Sequence, residues 1–111
     1  MINDPDWELR FNEEIAIARI ARQNGNEGRA RVCARRAAGV VIGEYFERAD
    51  IPLLSSSAYD RLQALKLHPD APSEAKQIVE HFLQRVDIDH HLPGEIDLID
   101  EAVRLHILLL D

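Results

Sequence analysis

The chain carries a single cysteine, Cys33, among 111 residues, so no intrachain disulfide can hold it together. No apolar run approaches the ~20 residues that a membrane-spanning helix requires. Met1 to Asp6 are acidic and lack the basic and apolar regions of a secretory leader. These absences read as a cytoplasmic protein that stays out of membranes. No stretch alternates apolar and polar residues as a half-buried strand would, which sets sheet architectures aside. Internal repeats and low-complexity segments are missing as well. So are a glycine-rich phosphate loop, a serine–histidine nucleophile pair, Cys-x-x-Cys and His-Glu-x-x-His, and no cofactor is implied.

What is present is an ordinary globular balance, with 46% hydrophobic and 30% charged residues. The length suits one domain spanning residues 1–111 with one modest core. Net charge is −7, which argues against a general nucleic-acid-binding surface. The charge is unevenly spread, however. Between Arg19 and Arg48 there are seven arginines against three acids, whereas from Ala49 onward there are twelve acids against five basic residues. A basic patch on an acidic protein is therefore compatible with the sequence.

The chain is organised around residues 27–49, which read as one long central helix. It opens after the turn-forming Asn24-Gly25-Asn26 and closes before Asp50-Ile51-Pro52, where the proline biases Ile51 away from helical dihedrals. Ala30, Ala34, Ala37, Ala38 and Val41 recur at three- and four-residue spacing along one side. Gly39 and Gly43 lie one turn apart on another. Each glycine costs ~1 kcal/mol against alanine inside a helix. Their presence asks for close packing, a kink or a functional approach, and packing is the simplest answer. Cys33 reads as a small buried hydrophobe in the same helix.

Four further helices are expected around this rod. The first begins near Pro5 with Asn3 or Asp4 as its cap. It buries Trp7, Phe11, Ile15 and Ala18, with Ile17, Ile20 and Ala21 widening the stripe. A short helix over 58–67 is capped by a serine of Ser55-Ser56-Ser57, with Tyr59, Leu62 and Leu65 or Lys66 on one side. Another is capped by Ser73 and runs to about Arg85, unless Pro72 takes its first position. The last opens at Glu95 or Asp97 and buries Ile96, Ile99, Ala102, Val103, Leu105 or His106, and Leu110. It reaches Asp111 without a stop signal, so the end reads as either natural or trimmed. An all-α, up-and-down bundle of four to five helices buries these stripes with short connections.

Three groups of residues can carry chemistry. Arg29, Arg31, Arg35 and Arg36 flank the small-residue stripe from two sides, with Arg31 and Arg35 one turn apart and Arg29 and Arg36 on the opposite margin. Arginines in pairs grip phosphate bidentately. The competing reading is salt bridges to Glu13, Glu14 and the acidic last helix. The second group is Arg85-Val86-Asp87-Ile88-Asp89-His90-His91, a polar loop in which an arginine can stabilise phosphate charge while a histidine transfers protons. The third, a metal site from His81, His90 and His91, is disfavoured because adjacent histidines rarely point at one ion.

The first amphipathic helix, then Gly25-Asn26-Glu27-Gly28-Arg29-Ala30-Arg31 leading into an alanine-rich helix, then Arg85-x4-His90 before the last helix, together resemble the HEPN family (higher eukaryotes and prokaryotes nucleotide-binding domains). The likeness covers most of the chain. It implies a small helical bundle, usually a homodimer, of the kind found among metal-independent ribonucleases and in toxin–antitoxin or defence systems. It makes Arg85 and His90, or His91, the phosphate-stabilising and proton-transferring pair. The cleavage it implies uses the RNA's own 2′-hydroxyl. A nucleotidyltransferase-like protein is the expected partner. The loosest form of the motif is met a second time by Arg61-x6-His68. The alternative function is a non-catalytic helical module for protein interaction or dimerisation, in which the arginines only stabilise the bundle.

Overall fold

Glycine at position 25 decides how the first two helices meet. Its φ of +78° turns the chain, and the Gly25 and Asn26 N–H groups close the helix end on the Arg22 and Ala21 carbonyls. Asn26 then caps the next helix by accepting a hydrogen bond from the Arg29 N–H at 3.1 Å. The computed structural model describes residues 4–84 and 96–111. Its helices are α1 (Trp7–Gln23), α2 (Glu27–Arg48), α3 (Ala58–Leu67), α4 (Ser73–Leu83) and α5 (Leu98–Leu110). Among the described residues there is no strand. The fold is an all-α bundle.

α2 is the pole of that bundle and packs against α1, α3 and α5; α4 closes the far side against α3 and α5. Ala30, Ala34, Ala37, Ala38 and Val41 are fully buried; Gly39, Ile42 and Phe46 bury the helix on one flank of that stripe and Cys33 on the other. Small side chains on two flanks let neighbouring backbones approach closely. Larger groups on the surrounding helices, among them Leu62, Leu65, Val79 and Leu105, fill the space between. Each fully buried Leu or Val of this kind is worth about 1.5–3 kcal/mol of transfer free energy.

The end of α2 repeats the closing pattern seen at Gly25, but with a side chain in the left-handed position. Asp50 has φ +57°, and the Asp50 and Ile51 N–H groups bond to the Glu47 and Phe46 carbonyls. Ser57 caps α3 by accepting from the Asp60 N–H. Asp97 caps α5 by accepting from the Ile99 and Asp100 N–H groups.

Several expectations shift. α1 starts at Trp7 behind Asp6 rather than at Pro5, and Asp4 instead accepts from the Asp6 N–H. Ser73 is the first residue of α4 and Pro72 occupies the cap position, so neither serine capping nor a proline at the first helical position holds. α4 ends at Leu83. Ile17 and Ile20 do not widen the buried stripe: Ile20 is 56% exposed and Ile17 36%, and the buried face of α1 is Phe11, Ile15, Ala18 and Ala21. Tyr59 likewise faces outward, while Leu62 and Leu65 are buried.

Ion pairs tie the helix ends. Arg22, at the end of α1, reaches Glu27 at the start of α2 and Asp97 at the cap of α5, with closest contacts of 2.7 and 2.8 Å. Burial alone would raise the Asp97 carboxyl. The Arg22 guanidinium and the two capping N–H groups outweigh that and hold it below the usual range. His81 of α4 pairs with Glu101 of α5.

Candidate functional site

The seam between α1 and α2 opens into a cavity of about 720 Å³, closed on its third side by residues 56–58 and Arg61. Four arginines line it: Arg10 from α1, Arg35 and Arg36 from α2, and Arg61 from α3. Asp4 and Glu14 are the acids in its wall, and Val32 and Val40 supply apolar surface. The lining therefore carries more positive than negative charge on a chain whose net charge is −7.

Arg61 is the most strongly held of the four. Its Nε donates to the Ser55 carbonyl at 2.9 Å and its Nη1 to the Gly39 carbonyl at 3.0 Å. Burial of the guanidinium lowers its pKa, Asp4 pulls it back up, and Arg10 lowers it further. An arginine starts so high that it stays charged regardless. The two glycines of α2 explain how it fits. A Cβ on Gly43 would stand 2.3 Å from Arg61 Nη1, and a Cβ on Gly39 would stand 3.0 Å from Ala58 Cα and Cβ. Gly39 thus admits the first turn of α3, and Gly43 makes the berth in which the guanidinium lies.

The other arginines differ in their partners. Arg10 is neutralised by Asp4, with Nε to carboxylate oxygen at 2.8 Å. Arg35 and Arg36 have no carboxylate partner among the described residues, and the pairing expected with Glu13, Glu14 or the last helix is not formed by either. Glu14 keeps one carboxylate oxygen, Oε2, buried without a hydrogen-bond partner. Beneath it lies Cys33, whose thiol is pushed up by burial and by the neighbouring Glu14 carboxylate, while Arg29 and Arg36 act in the opposite sense.

The four arginines of the basic set are therefore not one cluster. Arg35 and Arg36 share the cavity, although ~100° separates adjacent helix positions, because α1 and the 56–61 segment wall it on both sides. Arg29 lines a smaller recess farther along the seam, beside Ile17, Ile20 and Asn26. Arg31 is partly buried, lies outside both linings and has an interaction of its own. Arg10 and Arg61 complete the site without having been singled out for it. The signal for Arg61 was the helix-costly pair Gly39 and Gly43, which marks a close approach without naming what approaches. Arg85, His90 and His91 lie outside the described residues.

Comparison with known families, with curated proteins and with solved structures returns no match. Among the described residues no group of three or more His, Cys, Asp or Glu side chains could hold a metal ion. None of the described helices is long and apolar enough to cross a membrane. What the cavity offers chemically is anion binding: four guanidinium groups, three of them without carboxylate partners among the described residues, in a recess of the size small ligands occupy.

Proposed function

We propose that this chain is an RNA- or nucleotide-associated helical module, HEPN-like, of a toxin–antitoxin or defence type. The observation that carries the reading is the arginine-lined cavity on the α1–α2 seam of an otherwise acidic chain. Evenly scattered arginines would neutralise nearby carboxylates, whereas Arg35 and Arg36 are left without one and stand beside a third, backbone-anchored guanidinium. Phosphate is the ligand that planar, bidentate donors fit best.

The family likeness extends this to metal-independent cleavage, with Arg85 stabilising phosphate charge and His90 or His91 moving the proton. It also brings a homodimer and a nucleotidyltransferase-like partner protein. One experiment separates a catalytic from a binding module. RNA incubated with the protein in excess chelator should be cleaved by the wild type and left whole by Arg85→Ala and His90→Ala. Arg35→Ala and Arg36→Ala should weaken RNA retention in a gel-shift assay. Intact RNA in every lane, with retention undiminished by the α2 substitutions, would remove the reading.

A non-catalytic interaction module is the second reading. It is favoured by the outer face of α1, where Leu9 and Ile20 are 61% and 56% exposed and share a stripe with exposed Ala16. Leu9→Ser with Ile20→Ser should then abolish self-association in sedimentation velocity while leaving RNA retention unchanged.

A further inference from the structure

Along the α1–α2 seam the chemistry changes twice. At the end where α1 begins, Asp4, Glu44 and Glu47 line a narrow recess beside Trp7 in which Arg61 is the one basic side chain, and Glu47 keeps an unpartnered buried oxygen. The centre is the arginine cavity. Towards the Gly25 turn the wall becomes Ile17, Ile20 and Ala21, with Arg29 as the one basic side chain. A polynucleotide backbone laid along this seam would leave the arginines for carboxylates on one side and isoleucines on the other. Repulsion and desolvation would meet it at both exits. The basic ground is short and walled.

We infer, building on the nucleotide-binding reading above, that the cavity receives the terminal phosphomonoester of a nucleotide, free or at an RNA end, rather than an internal phosphodiester. Charge matches first. A phosphomonoester carries about −1.5 to −2 at pH 7 and offers three acceptor oxygens. Once Asp4 has neutralised Arg10, the guanidinium groups of Arg35, Arg36 and Arg61 stand against the one remaining carboxylate of the wall, Glu14, which leaves the lining with a surplus of two positive charges. The geometry of Arg61 agrees. With Nε and Nη1 spent on the Ser55 and Gly39 carbonyls, its Nη2 amino group has no hydrogen-bond partner among the described residues. Held by backbone, that group loses little freedom when a phosphate oxygen arrives. Val32 and Val40 give the attached nucleoside an apolar wall to lie against.

Titration calorimetry with the intact chain tests this, using AMP, inorganic phosphate, an RNA hexamer bearing a 5′-phosphate and the same hexamer without it. AMP and the phosphorylated hexamer should bind at least tenfold tighter than the bare hexamer, and inorganic phosphate more weakly than AMP. The affinity should fall as pH drops through about 6, where the phosphate takes up its second proton. Its logarithm should fall only shallowly with log salt, since one terminal phosphate carries no condensed counterion atmosphere of the kind a polynucleotide backbone releases. Arg35→Ala and Arg36→Ala, both surface changes checked for intact helix by circular dichroism, should erase the advantage of the phosphorylated ligands. A bare hexamer binding as tightly as the phosphorylated one, with a steep salt slope, would overturn the terminal-phosphate inference and leave nucleic-acid binding standing. Inorganic phosphate binding as tightly as AMP would overturn the nucleoside contact. No heat from any of the four ligands would overturn both this inference and the reading beneath it.

Discussion

Replacing Gly43 with alanine should leave stability nearly unchanged, while the same replacement in a chain lacking Arg61 should stabilise it. In a helix interior alanine is favoured over glycine by about 1 kcal/mol. Against that gain, the new Cβ would stand 2.3 Å from Arg61 Nη1 and 2.8 Å from Cζ, so the guanidinium must swing out of its berth. It then loses the bond to the Gly39 carbonyl. A hydrogen bond from a charged donor is worth about 1.5–3 kcal/mol, reduced here to about 1 because the arginine is only half-buried. The two effects cancel to within about 0.5 kcal/mol. Arg61→Ala removes the obstacle, and Gly43→Ala should then deliver the full ~1 kcal/mol. The coupling of about 1 kcal/mol is read from urea unfolding of the wild type, the two single variants and the double variant. Gly39→Ala serves as the contrast. Its Cβ meets Ala58 at 3.0 Å from Cα as well as Cβ, so backbone has to yield and overpacking should cost a net ~1 kcal/mol. A cycle showing no coupling, or Gly43→Ala as costly as Gly39→Ala, would refute the idea that one glycine houses a side chain and the other a helix.

Asp97→Asn keeps a competent cap but cuts the carboxylate out of the Arg22 contacts, and should cost about 0.5–1 kcal/mol at pH 7 for so exposed a pair. Because the folded carboxyl titrates below its unfolded value near 3.9, that contribution is complete above about pH 5 and disappears as pH falls through the folded value. Denaturant midpoints of the two proteins should therefore differ at pH 7 and converge once the pH has fallen below the folded value. Asp50→Gly relieves a left-handed residue at the end of α2 and should raise stability by about 0.5–1 kcal/mol, seen as a melting temperature several degrees higher. A lower melting temperature would mean that the Asp50 side chain stabilises the turn more than its conformation costs.

Much of the bundle was legible because local chemistry and tertiary packing agree there. Asn24-Gly25-Asn26 contains both a left-handed stop and the next cap, Ser57 caps α3, and Asp97 caps α5. The alanines of α2 announced a buried pole by size alone. Besides the helix ends of α1 and α4, the misses fell where a pattern has direction but no width. Ile17, Ile20 and Tyr59 sit at the margins of true apolar stripes, and only the neighbours decide whether a margin is covered. The site was half legible for a related reason. Arg35 and Arg36 stand out in sequence, but Arg10 and Arg61 join them through distances set by Gly39, Gly43 and the path of residues 49–57. No periodicity encodes an approach between segments twenty or more positions apart.

Since α2 shares its faces with three other helices while α4, among the described residues, packs chiefly against α3 and α5, the molecule is not equally easy to open everywhere. Amide protons in α4 should trade with solvent through a partial unfastening that leaves the rest assembled, whereas those in the middle of α2 should wait for the whole chain to come apart. The arginine cavity is built on α2 and its α1 and α3 neighbours. It therefore belongs to the slowest-opening part of the protein and keeps its shape while the opposite side breathes.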